Sequence, residues 1–166
     1  FQQGDRTAIL SRFPIVANTP RKWGVSIELP SKRIMHVFNA HFAASPYQPY
    51  QLLRIPYGDA EFITTETEAI TWANRARGRQ VDSLLSELSG YVETDQLVVL
   101  TGDFNEPSHQ DWTLRSKLMG RCPIQVAFPA TSRICEVGMR DAYRTVRPCE
   151  IQFPGLTWTP ITAAND

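Results

Sequence analysis

The run Leu97-Val98-Val99-Leu100-Thr101-Gly102-Asp103-Phe104-Asn105-Glu106-Pro107 constrains this chain more than any other. Four consecutive apolar residues read as a short buried strand, and they deliver polar side chains to the point where that strand must stop. Pro107 has no N–H and cannot continue a central ladder. Gly102 lets another backbone approach closely. Side chains alternate along a strand, so Asp103 and Asn105 are expected to share a face. A carboxylate and a carboxamide converging at a strand end can hold a hard cation, position a water or bind a phosphate oxygen. The same pair also suits an ordinary turn, because Asp and Asn bond their own backbone there.

A length of 166 residues suits one domain with a real core and is short for two. Hydrophobic residues at 42% and charged residues at 20% fit a folded protein rather than a disordered one. Seventeen basic and seventeen acidic side chains cancel, which removes the usual electrostatic argument for non-specific nucleic-acid binding. A small local positive site remains compatible with that balance. No stretch approaches the ~20 apolar residues of a membrane span. Nor is there a signal-peptide shape or an initiator Met at Phe1, so the chain reads as an internal piece. Cys122, Cys135 and Cys149 lack the close pairing of a zinc site, and read either as free thiols or as one Cys122–Cys135 disulfide. The scarcity of Lys beside Arg, with the three cysteines, is compatible with an exported bacterial protein.

Hydrophobic period places the other elements. Ala8-Ile9-Leu10 reads as a short strand. Residues 23–29 and 33–42 read as a hairpin about a Pro30-Ser31-Lys32 turn, its second strand buried on both sides. Residues 43–58, rich in Pro, Tyr and Gln, read as loop. Val81, Leu84, Leu85 and Leu88 follow helical spacing and predict a helix over 66–88, capped by Thr65 or Thr67. Gly78 costs that helix ~1 kcal/mol against Ala and marks a place for a bend. Further helices are expected over 108–118, with Ser108 as cap, and over 138–146; Thr157-Trp158-Thr159 reads as a last strand. A hairpin among partly alternating strands and helices argues for a mixed sheet with helices outside.

A second strand end resembles the first. Phe38-Asn39-Ala40-His41 sets Asn39 and His41 on one face, and a neutral histidine can donate to a phosphate oxygen or shuttle a proton. Taken alone, such a histidine is more often a satisfied core or loop residue. His36 reads as a core histidine and His109 as first-turn helix surface. Trp112 and Trp158 read as packing residues. Arg6 and Arg12 read as solvated loop arginines or as phosphate neighbours. The Tyr47-Gln48-Pro49-Tyr50 segment is placed to shape an entrance beside His41.

In this order, Phe38-Asn39-Ala40-His41 and Thr101-Gly102-Asp103-Phe104-Asn105 resemble the endonuclease/exonuclease/phosphatase superfamily of metal-dependent phosphoesterases. Other segments agree with the likeness: Thr7-Ala8-Ile9-Leu10-Ser11-Arg12-Phe13-Pro14-Ile15, the Arg79-Gln80 pair within the long helix, Asp141-Ala142-Tyr143, and Thr157-Trp158-Thr159-Pro160. The resemblance implies an α/β (α+β) four-layer sandwich of two mixed sheets flanked by helices. It implies Mg²⁺-dependent hydrolysis (or Mn²⁺ or Ca²⁺) of a phosphate ester by in-line attack of water. Asp103 would orient or deprotonate that water or bind the metal; Asn105 and His41 would contact the phosphate. Mg²⁺ suits an oxygen site with one or two carboxylates and retained waters.

The departures from the family pattern are as informative. Its metal-binding Glu precedes the segment that residues 7–15 resemble, and its terminal Asp-His pair follows the Thr-Trp-Thr-Pro stretch. Residues 1–166 therefore resemble the central part of a single domain, whose isolated form is expected to be poorly stable and inactive, with Asp166 at most leading into the last catalytic strand. The expected partner is a phosphate ester, whether nucleic acid, phospholipid head group or inositol phosphate, acting on a monomer with no transmembrane segment. The alternatives are a non-catalytic binding or structural module that keeps the fold, and an unrelated α/β hydrolase. The last is disfavoured because no Gly-x-Ser-x-Gly elbow or phosphate-binding glycine loop is present.

Overall fold

The computed structural model describes residues 2–3 and 7–157. Arg6, Trp158 and Asp166 lie outside them, as does all of the expected last strand but Thr157. The described residues form an α+β fold with a four-stranded mixed sheet and five helices. Strands β1 (Gln2–Gln3) and β2 (Ala8–Ile9) make a separate antiparallel pair. Strands β3 (Ile15–Asn18), β4 (Gly24–Glu28), β5 (Ile34–His41) and β6 (Leu97–Asp103) lie side by side in that order. β3, β4 and β5 are antiparallel, and the β4–β5 hairpin agrees with the sequence reading. β6 instead pairs parallel to β5. Parallel neighbours need a long crossover, and residues 42–96 supply it through helices α1 (Gln48–Leu53) and α2 (Glu66–Val92).

α2 forms where the period placed it and runs four residues past the expected end, unbroken through Gly78. Thr65, rather than Thr67, caps it. The Thr65 hydroxyl accepts the Glu68 N–H at 3.2 Å, and the Glu68 carboxylate accepts the Thr65 N–H at 2.9 Å. Each satisfies an N–H that the first helical turn would otherwise leave without a partner. Hydrogen bonds to the carboxylate from the Thr64 N–H, the Thr65 hydroxyl and the Thr65 N–H hold the Glu68 carboxyl below its ordinary range. Ala69, Ala73, Arg77, Val81, Leu84 and Leu88 form the buried stripe of α2. Val81, Leu84 and Leu88 pack on Phe38, Ala40 and Phe42 from β5 and its exit, and on Ala130 and Ile134 of α4 (Pro129–Glu136). Full burial of each such Leu or Phe stabilises the fold by ~1.5–3 kcal/mol.

Several expectations need correction. β5 is fully buried only on its His36, Phe38 and Ala40 face; Met35, Val37 and Asn39 are half-buried and His41 is exposed. β6 is likewise not sheathed on both sides among the described residues, since Leu97 is 52% exposed. The presumed loop over 43–58 contains α1, which starts with Pro49 in its first turn. The helix expected from Ser108 is α3 (Leu114–Leu118), capped by Thr113. His109 consequently lies in a loop, half-buried, bonded to Thr131 Oγ1 through Nδ1 at 2.9 Å and through its backbone N–H at 2.8 Å. α5 (Ala142–Val146) begins later than 138 because Asp141 caps it, accepting the Arg144 N–H at 2.9 Å. All three cysteines are free thiols.

Candidate functional site

The parallel register sets Asn39 opposite Thr101 and His41 opposite Asp103. The two polar strand ends singled out in the sequence therefore lie side by side. This closeness depends on Gly102, because a Cβ there would stand 2.2 Å from the Ala40 carbonyl oxygen. No side chain fits while the strands keep their spacing. Ladder bonding continues past the end of β5, with the Phe42 N–H donating to the Asp103 carbonyl at 3.0 Å.

Asp103 and His41 are both exposed. Asp103 Oδ1 accepts the Asn105 N–H at 3.0 Å, closing a turn of the kind Asp favours. Strand alternation stops there. Asn105 adopts a left-handed conformation with φ 51°, so it does not share a strand face with Asp103 as alternation suggests. Its side-chain amide donates to the Phe42 carbonyl at 2.9 Å. That bond uses one of two amide N–H groups and leaves the other, with the amide oxygen, for a ligand. Phe104 turns inward and stacks on Phe42 with centroids 5.5 Å apart. Two aromatic rings and one amide thus pin the turn to the end of β5. Asn39, by contrast, is engaged with Ala8 and Thr101, its Nδ2 donating to the Ala8 carbonyl at 3.2 Å.

One turn onward the chemistry reverses. The Glu106 and Arg77 side chains are 0% and 1% exposed and form an ion pair, Nε to Oε2, at 2.9 Å. Glu106 Oε1 also accepts the Ala130 N–H at 2.5 Å. Arg77 donates to the Ala43 carbonyl at 3.1 Å, the Pro46 carbonyl at 3.3 Å and Gln48 Oε1. Burial pushes the Glu106 carboxyl up and the Arg77 guanidinium down, and each partner's charge opposes the other's shift. Five segments meet here: α2, the exits of β5 and β6, α1 and α4. Gln80, one turn along α2, accepts the Ala43 N–H at 2.8 Å. Thus Arg77 and Gln80 face the strand ends, whereas Arg79 is exposed.

The sequence reading missed this cluster. The available signal was a single arginine on the apolar stripe of α2, which demands a buried partner. Tyr47 was also underrated. Burial pushes its hydroxyl up to about 12, with further upward pushes from Tyr50 and Asp103 and a downward one from Arg77. It remains a neutral O–H donor near Asp103. Trp112 packs on Phe128 in an edge contact, as expected. His36 is a core residue bonded to Ser26 and Gln96. Arg12 is exposed over the Phe13 ring.

Asp103 is the exposed carboxylate at the strand ends, since Glu106 is taken by Arg77. Among the described residues, no three His, Cys, Asp or Glu side chains gather as a metal cage. No helix among them is long and apolar enough to cross a membrane. No family model matches the chain, and no solved structure matches it. The chain is similar to the uncharacterized protein F14F9.5 of Caenorhabditis elegans, at 28% identity over 167 residues. That match covers 96% of this chain and 51% of that protein, so the chain spans about half the length of the curated relative.

Proposed function

We propose that this chain carries half of a phosphoesterase site and is the central portion of a four-layer sandwich of the endonuclease/exonuclease/phosphatase type. The observation that carries the reading is the parallel β5–β6 register, with His41 opposite Asp103 and Asn105 tied to the end of β5. Hydrolysis of a phosphate ester forms a P–O bond to water and breaks the P–O bond to the alcohol. Charge accumulates on phosphate oxygens, so a site must supply hydrogen-bond donors and activate water. His41 donates to one phosphate oxygen. The remaining amide N–H of Asn105 donates to another. Asp103, exposed and anchored through one oxygen, accepts a proton from the attacking water or holds the cation. A lone carboxylate fits Mg²⁺, or Mn²⁺ or Ca²⁺, only as an ion that keeps most of its waters and is completed by other oxygens. When bound, the ion neutralises phosphate charge.

The test is turnover by the full-length protein on duplex DNA, sphingomyelin and inositol phosphates, with and without Mg²⁺. Metal-stimulated hydrolysis that falls about 10²-fold or more in Asp103→Ala is expected. Hydrolysis that survives the substitution unchanged overturns the assignment. Absence of turnover on every substrate, with phosphate still bound, favours the non-catalytic module.

A further inference from the structure

A cavity of about 230 Å³ adjoins His41 between the β3–β4 turn and α2. Among the described residues, its ionisable lining is basic: Arg21 and Lys22 from the turn, Arg79 from α2, and His41 itself. The chain as a whole is neutral, with seventeen charges of each sign, so this concentration of one sign is local. We propose that the cavity is a subsite for a second phosphate group of the substrate, beside the phosphate held at His41. This deepens the phosphoesterase reading and rests on it.

The turn is built to present cations. The Thr19 hydroxyl accepts the Gly24 N–H at 3.0 Å, and the Lys22 N–H donates to the Thr19 carbonyl at 3.0 Å. Glu87 accepts the backbone N–H of Arg21 at 2.5 Å. One Glu87 oxygen thus fastens the turn's main chain, the other is buried without a hydrogen-bond partner among the described residues, and Glu87 is not among the described residues that line the cavity. The Arg21 guanidinium reaches Ser83 Oγ at 3.3 Å, a neutral partner. Neither Arg21 nor Arg79 joins an ion pair among the described residues. Gln80 spends its carbonyl oxygen on the Ala43 N–H, so the end of its amide left for a ligand is the donor end.

Trp23 supplies an apolar wall. Its indole N–H donates to Ser83 at 2.9 Å, and its ring meets Phe42 edge-on at 6.1 Å. An apolar plane between cations suits the organic part of a molecule that carries two phosphates. The size agrees, because whole-ligand pockets run from about 300 Å³ upward, so this space takes part of a substrate rather than all of it. Because His41 belongs both to the cavity wall and to the strand-end pair, one molecule can occupy both places. The chemistry selected is two phosphates on one carrier, as in a polyphosphorylated cyclitol or a nucleic-acid strand, over a choline lipid with a single phosphodiester.

The experiment compares wild-type full-length protein with the Arg21→Gln, Arg79→Gln double variant. Both residues are exposed, and matched thermal unfolding confirms the fold. Inositol trisphosphate and a single-stranded oligonucleotide serve as multiphosphate substrates, and bis(4-nitrophenyl) phosphate as the single-phosphodiester substrate. Charge-assisted contacts of this kind contribute enough for about a tenfold or greater rise in KM. That rise is expected to be at least about tenfold larger on one of the multiphosphate substrates than on bis(4-nitrophenyl) phosphate, with kcat changing less than KM; the substrate that shows it identifies the source. Equal losses on all three substrates overturn the subsite. Calorimetric binding of inorganic pyrophosphate provides a readout without turnover. Weaker pyrophosphate binding by the variant supports the subsite even if no substrate is hydrolysed. Undiminished binding overturns the subsite even if the phosphoesterase reading holds.

Discussion

Asp103 and Glu106 stand three positions apart on one turn and meet opposite fates. Glu106 is sealed from solvent with an arginine and a backbone N–H as its partners, and the arginine in turn is held by carbonyls at the exit of β5. Asp103 faces solvent, with one oxygen closing its own turn. A buried charge survives only where the fold itself completes its partners. An exposed carboxylate on a pinned turn has coordination to offer. The first is architecture, the second is opportunity, and the contrast yields a ladder of substitutions.

Glu106→Gln tests the closed end and has the largest expected effect. It leaves the Arg77 guanidinium buried without its counter-charge, and a loss of ~3–5 kcal/mol is expected in urea unfolding. The paired change Arg77→Met with Glu106→Leu should recover much of that loss, because two apolar groups need no partner. A cost below about 1 kcal/mol for Glu106→Gln would break the comparison. Asp103→Asn tests the open end. Activity of the full-length protein should fall about 10²-fold, while unfolding stability stays within ~0.5 kcal/mol of wild type. A stability loss as large as that of Glu106→Gln would show Asp103 to be architecture as well.

Gly102→Ala bears on both ends. Its Cβ would meet the Ala40 carbonyl, so β5 and β6 must part at the point where His41 and Asp103 face each other. An overpacking cost of ~1–3 kcal/mol is expected, together with lost activity. Thr65→Ala is the smallest and most local of the set. Loss of the cap should lower stability by about 1 kcal/mol and raise hydrogen exchange in the first turn of α2, with the strand ends unaffected.

Much of the framework was legible because its signals are local. The stripe from Val81 to Leu88 and the Thr65–Glu68 box give α2, and apolar-rich runs give β5 and β6. What was hidden depends on partners distant in sequence. α1 is short and carries buried glutamines; Gln48 bonds the Pro46 carbonyl and Gln51 the Glu61 carbonyl, so its composition imitates a loop. α4 is too brief to show a period. The inward turn of Glu106 is invisible without Arg77, and the left-handed Asn105 breaks the alternation that strand reasoning assumes. The strand-end residues were found because polar groups after an apolar run stand out. Their mutual arrangement was not, because it belongs to the turn beyond the strand.

The parallel junction of β5 and β6 has a consequence for how the chain acquires its chemistry. Asn105 and Phe42 are 63 residues apart, with the whole crossover between them. α2 can form from neighbouring residues on a microsecond timescale, whereas bringing the strands together must first overcome closure of that long loop. Species that already contain the capped helix but have not zipped this junction hold neither the strand-end pair nor the wall that His41 gives to the basic cavity. Refolding followed at α2 should therefore run ahead of refolding followed by ligand, and the interval between the two signals times the last step of assembly.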